Sequence, residues 1–145
     1  IENIGYALYI KMLEDAITTL SGEMIQEKTS VDIKLTISAY ISSEYISEDR
    51  LRLELYRRLS KVKEKNEIFE IQEEMEDRFG KLDIPTKQFL DLIFIKLYSD
   101  AKNIKTINNY EMNISIVYND EKKEVIKSPS RDDDDIIATV LKFLQ

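Results

Sequence analysis

The chain of 145 residues contains no cysteine and no histidine. Their absence excludes disulfide bonds, thiolate nucleophiles, imidazole general bases and zinc sites built from Cys or His ligands. Glycine is also scarce, and none of the three glycines begins a GKS or GKT sequence, so the segment lacks a phosphate-binding P-loop. No apolar run is long enough to span a bilayer, and no signal peptide is present. These absences predict a cytoplasmic protein with no membrane partner.

Negative charge predominates in the chain, whose formal net charge is -7. Such a chain repels nucleic acid and anionic membranes, which favours a basic or mixed protein surface as partner. With 43% hydrophobic residues, the composition is that of a folded protein, and the length fits one domain. The sequence begins at Ile1 rather than at methionine. We therefore interpret it as part of a longer polypeptide.

Hydrophobic periodicity predicts an α+β fold in which helices pack against a small, mainly antiparallel sheet. Apolar residues from Ile4 to Leu20 recur every three or four positions, which predicts a helix that ends at Gly22. Between Val31 and Ile37, apolar and polar residues alternate, as in a strand with one solvent-exposed face.

The stretch from Tyr45 to Leu59 predicts a helix with Ser47 as its N-cap. Glu54 and Arg58 lie four positions apart and are expected to form an ion pair on its surface. The other charged residues alternate in sign, which indicates a solvated face rather than a nucleic-acid site. Its apolar stripe consists of Leu51, Leu55, Leu59 and Val62.

A second helix is predicted from Asn66, as its cap, to Gly80, which terminates it. One face is apolar, with Ile68, Ile71, Met75 and Phe79. The opposite face, here called the acidic stripe, consists of Glu67, Glu70, Glu74 and Asp77. Such a stripe either keeps a protein soluble or docks a basic surface.

The rest of the chain after Gly80 predicts two helices and a hairpin. Pro85 is expected at the first position of a central, mostly buried helix. Alternation from Met112 to Tyr118, a break at Asn119-Asp120 and a second apolar pair at Val125-Ile126 predict a β-hairpin. A short helix is expected to follow the aspartate run, with its buried side formed by Ile136, Ile137, Val140, Leu141 and Leu144.

Two acidic features invite a catalytic interpretation. The run Asp132 to Asp135 offers carboxylates to a divalent cation, but successive helical residues point about 100° apart, so the run better fits a helix start favoured by the dipole. Glu121 and Lys123 form an E-x-K sequence of the kind found in metal-dependent nucleases. It lies at the predicted hairpin turn, and no partner carboxylate can be assigned to it.

Four blocks of the sequence together resemble the C-terminal region of bacterial transcription-repair coupling factors, the Mfd family. They are IGYALYIKMLEDAI from Ile4, VDIKL from Val31, YISEDRLRLELYRRL from Tyr45 and EEMEDRFG from Glu73. The first block is also similar to the end of RecG helicases. The resemblance ends near Ala101, and the region after Ile104 departs from it.

The resemblance implies a non-catalytic domain without a cofactor or metal, at the end of an ATP-dependent DNA translocase. Residues 1–22 would link it to the translocase, and residues 23–145 would form one regulatory domain. That domain would pack against a UvrB-like module of the same polypeptide, mask UvrA binding and restrain the motor until RNA polymerase is engaged. DNA would be contacted only through the motor.

The family pattern also implies roles for individual residues. Glu74 corresponds to the glutamate that faces the UvrB-like module, and we expect Glu70 and Asp77 to assist it. Asp77, Arg78, Phe79 and Gly80 form the DRFG motif, in which Arg78 would hold the turn and Phe79 would be buried. Two alternatives stay open: a metal-dependent phosphodiesterase that uses Asp132 to Asp135 or Glu121, and a scaffold that completes the fold of the motor.

Overall fold

A computed structural model describes residues 31–145 of the chain. The four strands of this part form one sheet in the order β1-β2-β3-β4, in which only β1 and β2 run parallel. Together with four helices, this mainly antiparallel sheet confirms the predicted α+β class. The elements are β1 (Asp32–Lys34), α1 (Asp49–Ser60), α2 (Lys65–Phe79), α3 (Ile84–Ala101), β2 (Ile104–Tyr110), β3 (Asn113–Tyr118), β4 (Lys123–Lys127) and α4 (Asp133–Leu144).

Two predictions concern the first part of the chain and lie outside the described residues. They are the helix from Ile4 to Leu20 and the boundary between a linking segment, 1–22, and a regulatory domain, 23–145. The described residues divide into two compact units. The first contains Ser38–Ile93, and the second contains residues 31–37 together with Phe94–Gln145. Each unit has its own buried apolar side chains.

In the first unit, the segment before α1 has no regular secondary structure, yet it is buried and closely bonded. Ala39 and Ile41 are each 3% exposed. The Ile41 amide donates to the Tyr56 hydroxyl at 2.6 Å, and Gln88 Nε2 donates to the Ser38 carbonyl at 2.6 Å. These side chains replace the backbone partners that a strand or helix would supply. The segment is therefore fixed by α1 and α3.

Helix α1 begins one residue later than predicted. Its N-cap is Glu48, whose backbone is extended, and the predicted cap Ser47 precedes it. Arg52 accounts for the difference, because its guanidinium donates to the Ile46 carbonyl at 2.7 Å and also bonds Asp49. These bonds fix the chain where it enters the helix. Leu55 and Leu59 are buried, which confirms the predicted apolar stripe.

Helix α2 begins earlier than predicted, with Glu64 rather than Asn66 as its N-cap. Glu64 and Glu67 form a capping box, in which each side chain accepts the backbone N–H of the other residue. Glu67 Oε1 also accepts the Lys63 amide at 2.9 Å. Glu67 is therefore committed to the start of the helix rather than to a partner surface.

Helix α3 is the apolar centre that periodicity predicts. Pro85 is its second residue rather than its first, because the Asp83 carboxylate accepts the Thr86 amide at 3.1 Å and caps the helix one position earlier. Phe89, Leu90 and Ile95 are at most 1% exposed.

Among residues 31–145, the helices are too short or too polar to cross a membrane.

The second unit contains the sheet and α4. The predicted hairpin is confirmed as β3 and β4, whereas β2 was not predicted. The predicted strand over 31–37 is shortened to β1, because the Thr36 amide leaves the ladder and donates to Asn109 Oδ1 at 2.8 Å. Val31 and Ile37 are nevertheless buried, so the predicted alternation holds beyond the paired residues.

Gly80 provides a test of how α2 ends. Its φ of 89° and ψ of -171° lie in a region that is essentially restricted to glycine, and an added Cβ would meet no atom within 4 Å. We expect Gly80→Ala to lower the free energy of unfolding by about 1–3 kcal/mol through backbone strain alone. Urea denaturation measures this change.

Lys81→Ala is the matched control, since Lys81 is the exposed neighbour and changes the same region without the positive φ. Equal stabilities of the two variants would contradict the strained-backbone account of the helix end.

Candidate functional site

The acidic stripe on α2 is the candidate site, and the structure separates its four members. Ile68, Ile71 and Met75 form the buried face of the helix. Glu70 and Asp77 are exposed. The Glu74 side chain is 39% exposed and lies at the border of the buried face, while Glu67 belongs to the cap. The surface available to a partner is therefore Glu70, Glu74 and Asp77.

Glu74 bonds to two arginines of its own chain, and we call these three residues the Glu74 cluster. Arg58 on α1 donates through Nη1 to Oε2 at 2.7 Å and through Nη2 to Oε1 at 2.9 Å. Arg78, one turn further along α2, places Nη1 3.3 Å from Oε2. The Arg58 pair is bidentate, the arrangement in which guanidinium and carboxylate geometry match best. It joins α1 directly to α2.

The electrostatics of the Glu74 cluster agree with this geometry. The hydrogen bonds from Arg58 hold the pKa of the Glu74 carboxyl below its usual value, and Arg78 adds to the effect. The same hydrogen bonds raise the pKa of Arg58, to which the nearby charge of Glu54 also contributes. Glu54 was predicted as the ion-pair partner of Arg58. Its influence is only electrostatic, because the short bonds of Arg58 go to Glu74.

A second set of contacts holds the end of α2 where the DRFG motif lies. The Tyr45 hydroxyl donates to the Gly80 carbonyl at 2.5 Å and lies 3.2 Å from the Met75 carbonyl. The Tyr45 ring meets Phe79 edge to face, with ring centres 6.0 Å apart. Burial raises the pKa of Tyr45, and the charges of Glu76 and Asp83 act in the same direction, so the phenol stays a donor.

Arg78 covers the ring of Phe79, with its guanidinium carbon 4.9 Å from the ring centre. Phe79 is consequently half-buried, and the prediction of a fully buried side chain is wrong. Arg78 thus contacts both Phe79 and Glu74. Gly80 ends the helix as predicted, because its own positive φ takes the chain out of the helical conformation. Asp77, the first residue of the motif, stays exposed.

Sequence reasoning missed Arg58 and Tyr45 as members of this site. Both lie in the stretch from Tyr45 to Leu59, for which the sequence predicts a helix with a solvated charged face and an apolar stripe. A usable indication was present: Arg58 borders the leucine stripe of α1, and Glu74 borders the apolar face of α2. Oppositely charged residues at such borders on consecutive helices are placed to meet when the helices pack.

The aspartate run does not behave entirely as predicted. Oxygen atoms of Asp132, Asp134 and Asp135 lie within 4.8 Å of one another, whereas helical spacing alone predicted divergence. Asp132 precedes α4 with an extended backbone, so helical spacing does not apply to it. Asp135 accepts the Ser130 hydroxyl at 2.6 Å, which engages one oxygen of the group. The position at a helix start accounts for the negative charge.

The E-x-K sequence stays separate from this group. Glu121 lies at the hairpin turn with a φ of 73° and bonds Lys105 at 2.9 Å. It is not among the clustered carboxylates of the described residues. The arrangement of a metal-dependent nuclease, with several carboxylates around one point beside a lysine, is therefore not assembled from Glu121 and the run Asp132 to Asp135.

The fold and the site define an α+β module whose best-organised surface is a charged cluster across two helices. The family model of the TRCF domain matches residues 35–128. A transcription-repair-coupling factor of Helicobacter pylori is 50% identical over 145 residues, which is 100% of this chain and 14% of that protein. One of Staphylococcus aureus (strain USA300) is 31% identical over 111 residues, 75% of this chain and 10% of that protein.

A solved structure has the same fold. It is described as the crystal structure of the C-terminal domain of transcription-repair coupling factor, and it matches with a TM-score of 0.72 at 22% identity, covering 79% of this chain and 89% of that one. The chain belongs to the TRCF domain family and corresponds to the C-terminal domain of transcription-repair coupling factors. It spans about one seventh of the length of the Helicobacter pylori relative.

The Arg58–Glu74 pair is testable by a double-mutant cycle with Arg58→Ala and Glu74→Ala. Because both side chains are partly exposed, we expect a coupling energy of about 0.2–1 kcal/mol at pH 7, at the upper end for a bidentate pair. Since folding lowers the pKa of Glu74, the coupling is complete above the unfolded-state value of 4.5 and declines as the pH falls through the folded-state value.

Chemical denaturation of the natural protein, the two single variants and the double variant gives the coupling energy. Repeating it at pH 7 and at pH 3 gives the pH dependence of that energy. Asp77→Ala with Arg58→Ala is the control cycle, because Asp77 carries the same kind of charge on α2 without this bond. Equal coupling in the two cycles, or coupling that persists unchanged at pH 3, would show that the pair does not join the helices.

Proposed function

We propose that this chain is the autoinhibitory C-terminal domain of a transcription-coupled DNA repair translocase. Residues 23–145 act as one regulatory domain, and residues 1–22 link it to the translocase. The domain packs against a UvrB-like module of the same polypeptide, masks the surface that binds UvrA and restrains the motor. Membership of the TRCF domain family supports this proposal, as does the small share of its relatives that the chain spans.

The Glu74 cluster is the observation that carries the proposal. Glu74 is held at a fixed position by Arg58 and Arg78, yet its side chain is 39% exposed. A carboxylate oxygen has more than one lone pair, so each oxygen can accept a further donor from an approaching arginine. Glu70 and Asp77, one turn to either side, are exposed and extend the negative surface. The stripe therefore presents an oriented acidic surface to a basic partner.

The strength of such an interface suits regulation. Exposed ion pairs contribute about 0.2–1 kcal/mol each, and they bias orientation and association rate more than affinity. The arginines of the cluster already neutralise part of the charge on Glu74, which weakens its attraction for a further cation. A competing partner can therefore displace the domain. RNA polymerase is the partner whose engagement releases it, after which UvrA gains access.

The remaining features of the proposal follow from the same assignment. The chain itself is not an enzyme and needs no cofactor, since its task is to cover a surface. DNA and ATP are handled by the motor of the parent protein. The protein acts in the cytoplasm, where transcription-coupled repair takes place.

The test is charge reversal in the full-length protein. Glu74→Arg removes the carboxylate that accepts hydrogen bonds and places a positive charge opposite the arginines of the UvrB-like module. The domain should therefore separate from that module. We expect UvrA to bind about tenfold more tightly, because a like charge at an interface costs on the order of 1–2 kcal/mol or more. The ATPase rate should rise as well. Calorimetry or surface plasmon resonance measures the affinity, and phosphate release measures the rate.

Glu73→Arg is the matched control, since it changes the net charge equally on the same helix but points about 100° away. Glu73→Arg should leave the UvrA affinity and the ATPase rate near those of the natural protein. Unchanged UvrA affinity and ATPase rate in Glu74→Arg would overturn the proposal. A loss of motor stability upon deletion of the domain, with no gain in UvrA affinity, would favour the scaffold alternative.

A further inference from the structure

The strand register of the second unit sorts its side chains onto two faces. Residues paired across neighbouring strands share a face, and alternate residues of one strand point to opposite faces. Ile107, Ile114 and Ile116 lie on one face and are completely buried. The other face is open. Its cross-strand rows are Asp32, Thr106, Val117 and Lys123; then Lys34, Asn108, Ser115 and Val125; then Tyr110, Asn113 and Lys127.

Two large hydrophobic side chains lie on the open face. Tyr110 is 76% exposed, and Val125 is 58% exposed. A solvent-facing side of an antiparallel sheet is normally polar, and Tyr is enriched where proteins bind one another. Tyr110 belongs to the row of Lys127, and Val125 precedes Lys127 by two residues on the same strand. Asn113 of β3 separates Tyr110 from Lys127 in this row, whereas Val125 is on the same strand as Lys127.

Alternation along β4 separates its charges by sign. Lys123, Val125 and Lys127 point to the open face, whereas Glu124 points to the opposite face. There Glu124 accepts the Tyr118 hydroxyl at 2.6 Å, a bond that raises the pKa of Tyr118 to about 12. The only carboxylate of the strand is thus engaged elsewhere. Toward the open face, β4 presents a cation, an apolar residue and a second cation.

The two lysines of β4 have no ion-pair partner within the second unit. Its ion pairs join Lys34 to Asp32, Lys105 to Glu121, Lys122 to Asp120 and Arg131 to Glu111. Lys123 and Lys127 are both exposed. Their charge therefore favours an anionic occupant and repels a basic one.

Strand β4 is also an edge of the sheet, and no described strand pairs with its outer side. Such an edge offers free backbone donors and acceptors to an added strand. Lysine on an edge strand deters pairing with a neutral or basic strand, including a second β4. The same lysines stabilise an acidic strand, because opposite charges in adjacent strands attract.

We propose that the outer edge of β4 binds an extended acidic protein segment as a fifth strand. In this segment an apolar residue would lie beside Val125. One carboxylate two residues before it and another two residues after it would lie beside Lys123 and Lys127. Tyr110 lies on the same face but two strands away from this contact. A single-stranded nucleic acid fits less well, because stacking platforms need successive aromatic rings and the face has one. This surface is independent of the Glu74 cluster and of the proposed autoinhibition.

Titration of the 145-residue chain with a synthetic peptide tests the proposal. The peptide Ser-Glu-Thr-Val-Thr-Glu-Ser contains strand-favouring Thr and Val, and its pattern reads the same in both strand directions. We expect it to shift the backbone amide resonances of Lys123–Lys127 in a saturable way. In K123E/K127E its affinity should fall about tenfold, as two attractions become repulsions. The matched control K102E/K142E changes the net charge equally, at exposed lysines outside the sheet.

Three outcomes would overturn the proposal. The first is an unchanged spectrum over β4 at saturating peptide. The second is an equal response to Ser-Lys-Thr-Val-Thr-Lys-Ser, which would show that charge is not recognised. The third is that single-stranded oligothymidylate shifts the same amides and the acidic peptide does not, which would assign the face to nucleic acid.

Discussion

The bidentate bond between Arg58 and Glu74 is the interaction that fixes how α1 and α2 meet, and the geometry of the candidate site depends on it. It joins α1 to α2 through two hydrogen bonds of 2.7 and 2.9 Å, and Arg78 adds a third contact from the next turn. Tyr45 fixes the far end of α2 through the Gly80 carbonyl. The two stretches that the sequence marks, from Tyr45 to Leu59 and from Glu73 to Gly80, are therefore one assembly. Residues of the first stretch hold the candidate site of the second stretch in place.

This bond also limits what Glu74 can do for a partner. A carboxylate with two arginines attached is already partly neutralised, so a further arginine gains less than it would from a free glutamate. In return, the carboxylate is held in one orientation and loses little side-chain entropy when it binds. Glu70 and Asp77 are exposed at either side. The combination favours an oriented contact of modest strength, which is what a releasable interface requires.

Local pattern predicts the elements of this chain well and their contacts poorly. Periodicity identified α2, α3, α4 and the hairpin, because each has a buried face that repeats within a few residues. The caps were misplaced, since Glu64 and Glu67 build a capping box where Asn66 is the commoner type of cap. Strand β2 was missed because its apolar residues do not alternate through the bulge near Ile104.

The contacts that matter most for function join distant residues. Arg58 and Glu74 are 16 positions apart, and Thr36 reaches Asn109 across 73 positions. Local patterns place Arg58 and Glu74 at the borders of apolar faces, but they do not specify which distant residues pair. The resemblance to a known family supplied Glu74, but it supplied neither Arg58 nor the charge sorting along β4. Both become visible only when the helices and the strand register are in place.

A charge swap in the full-length protein tests the central claim most directly. Glu74→Arg combined with Arg58→Glu restores an internal ion pair between α1 and α2 but reverses the charge that α2 presents to a partner. If Glu74 itself accepts arginines of the UvrB-like module, the swapped protein should bind UvrA as tightly as Glu74→Arg alone. A return of UvrA affinity to the level of the natural protein would contradict the account, because it would show that only the internal bond matters.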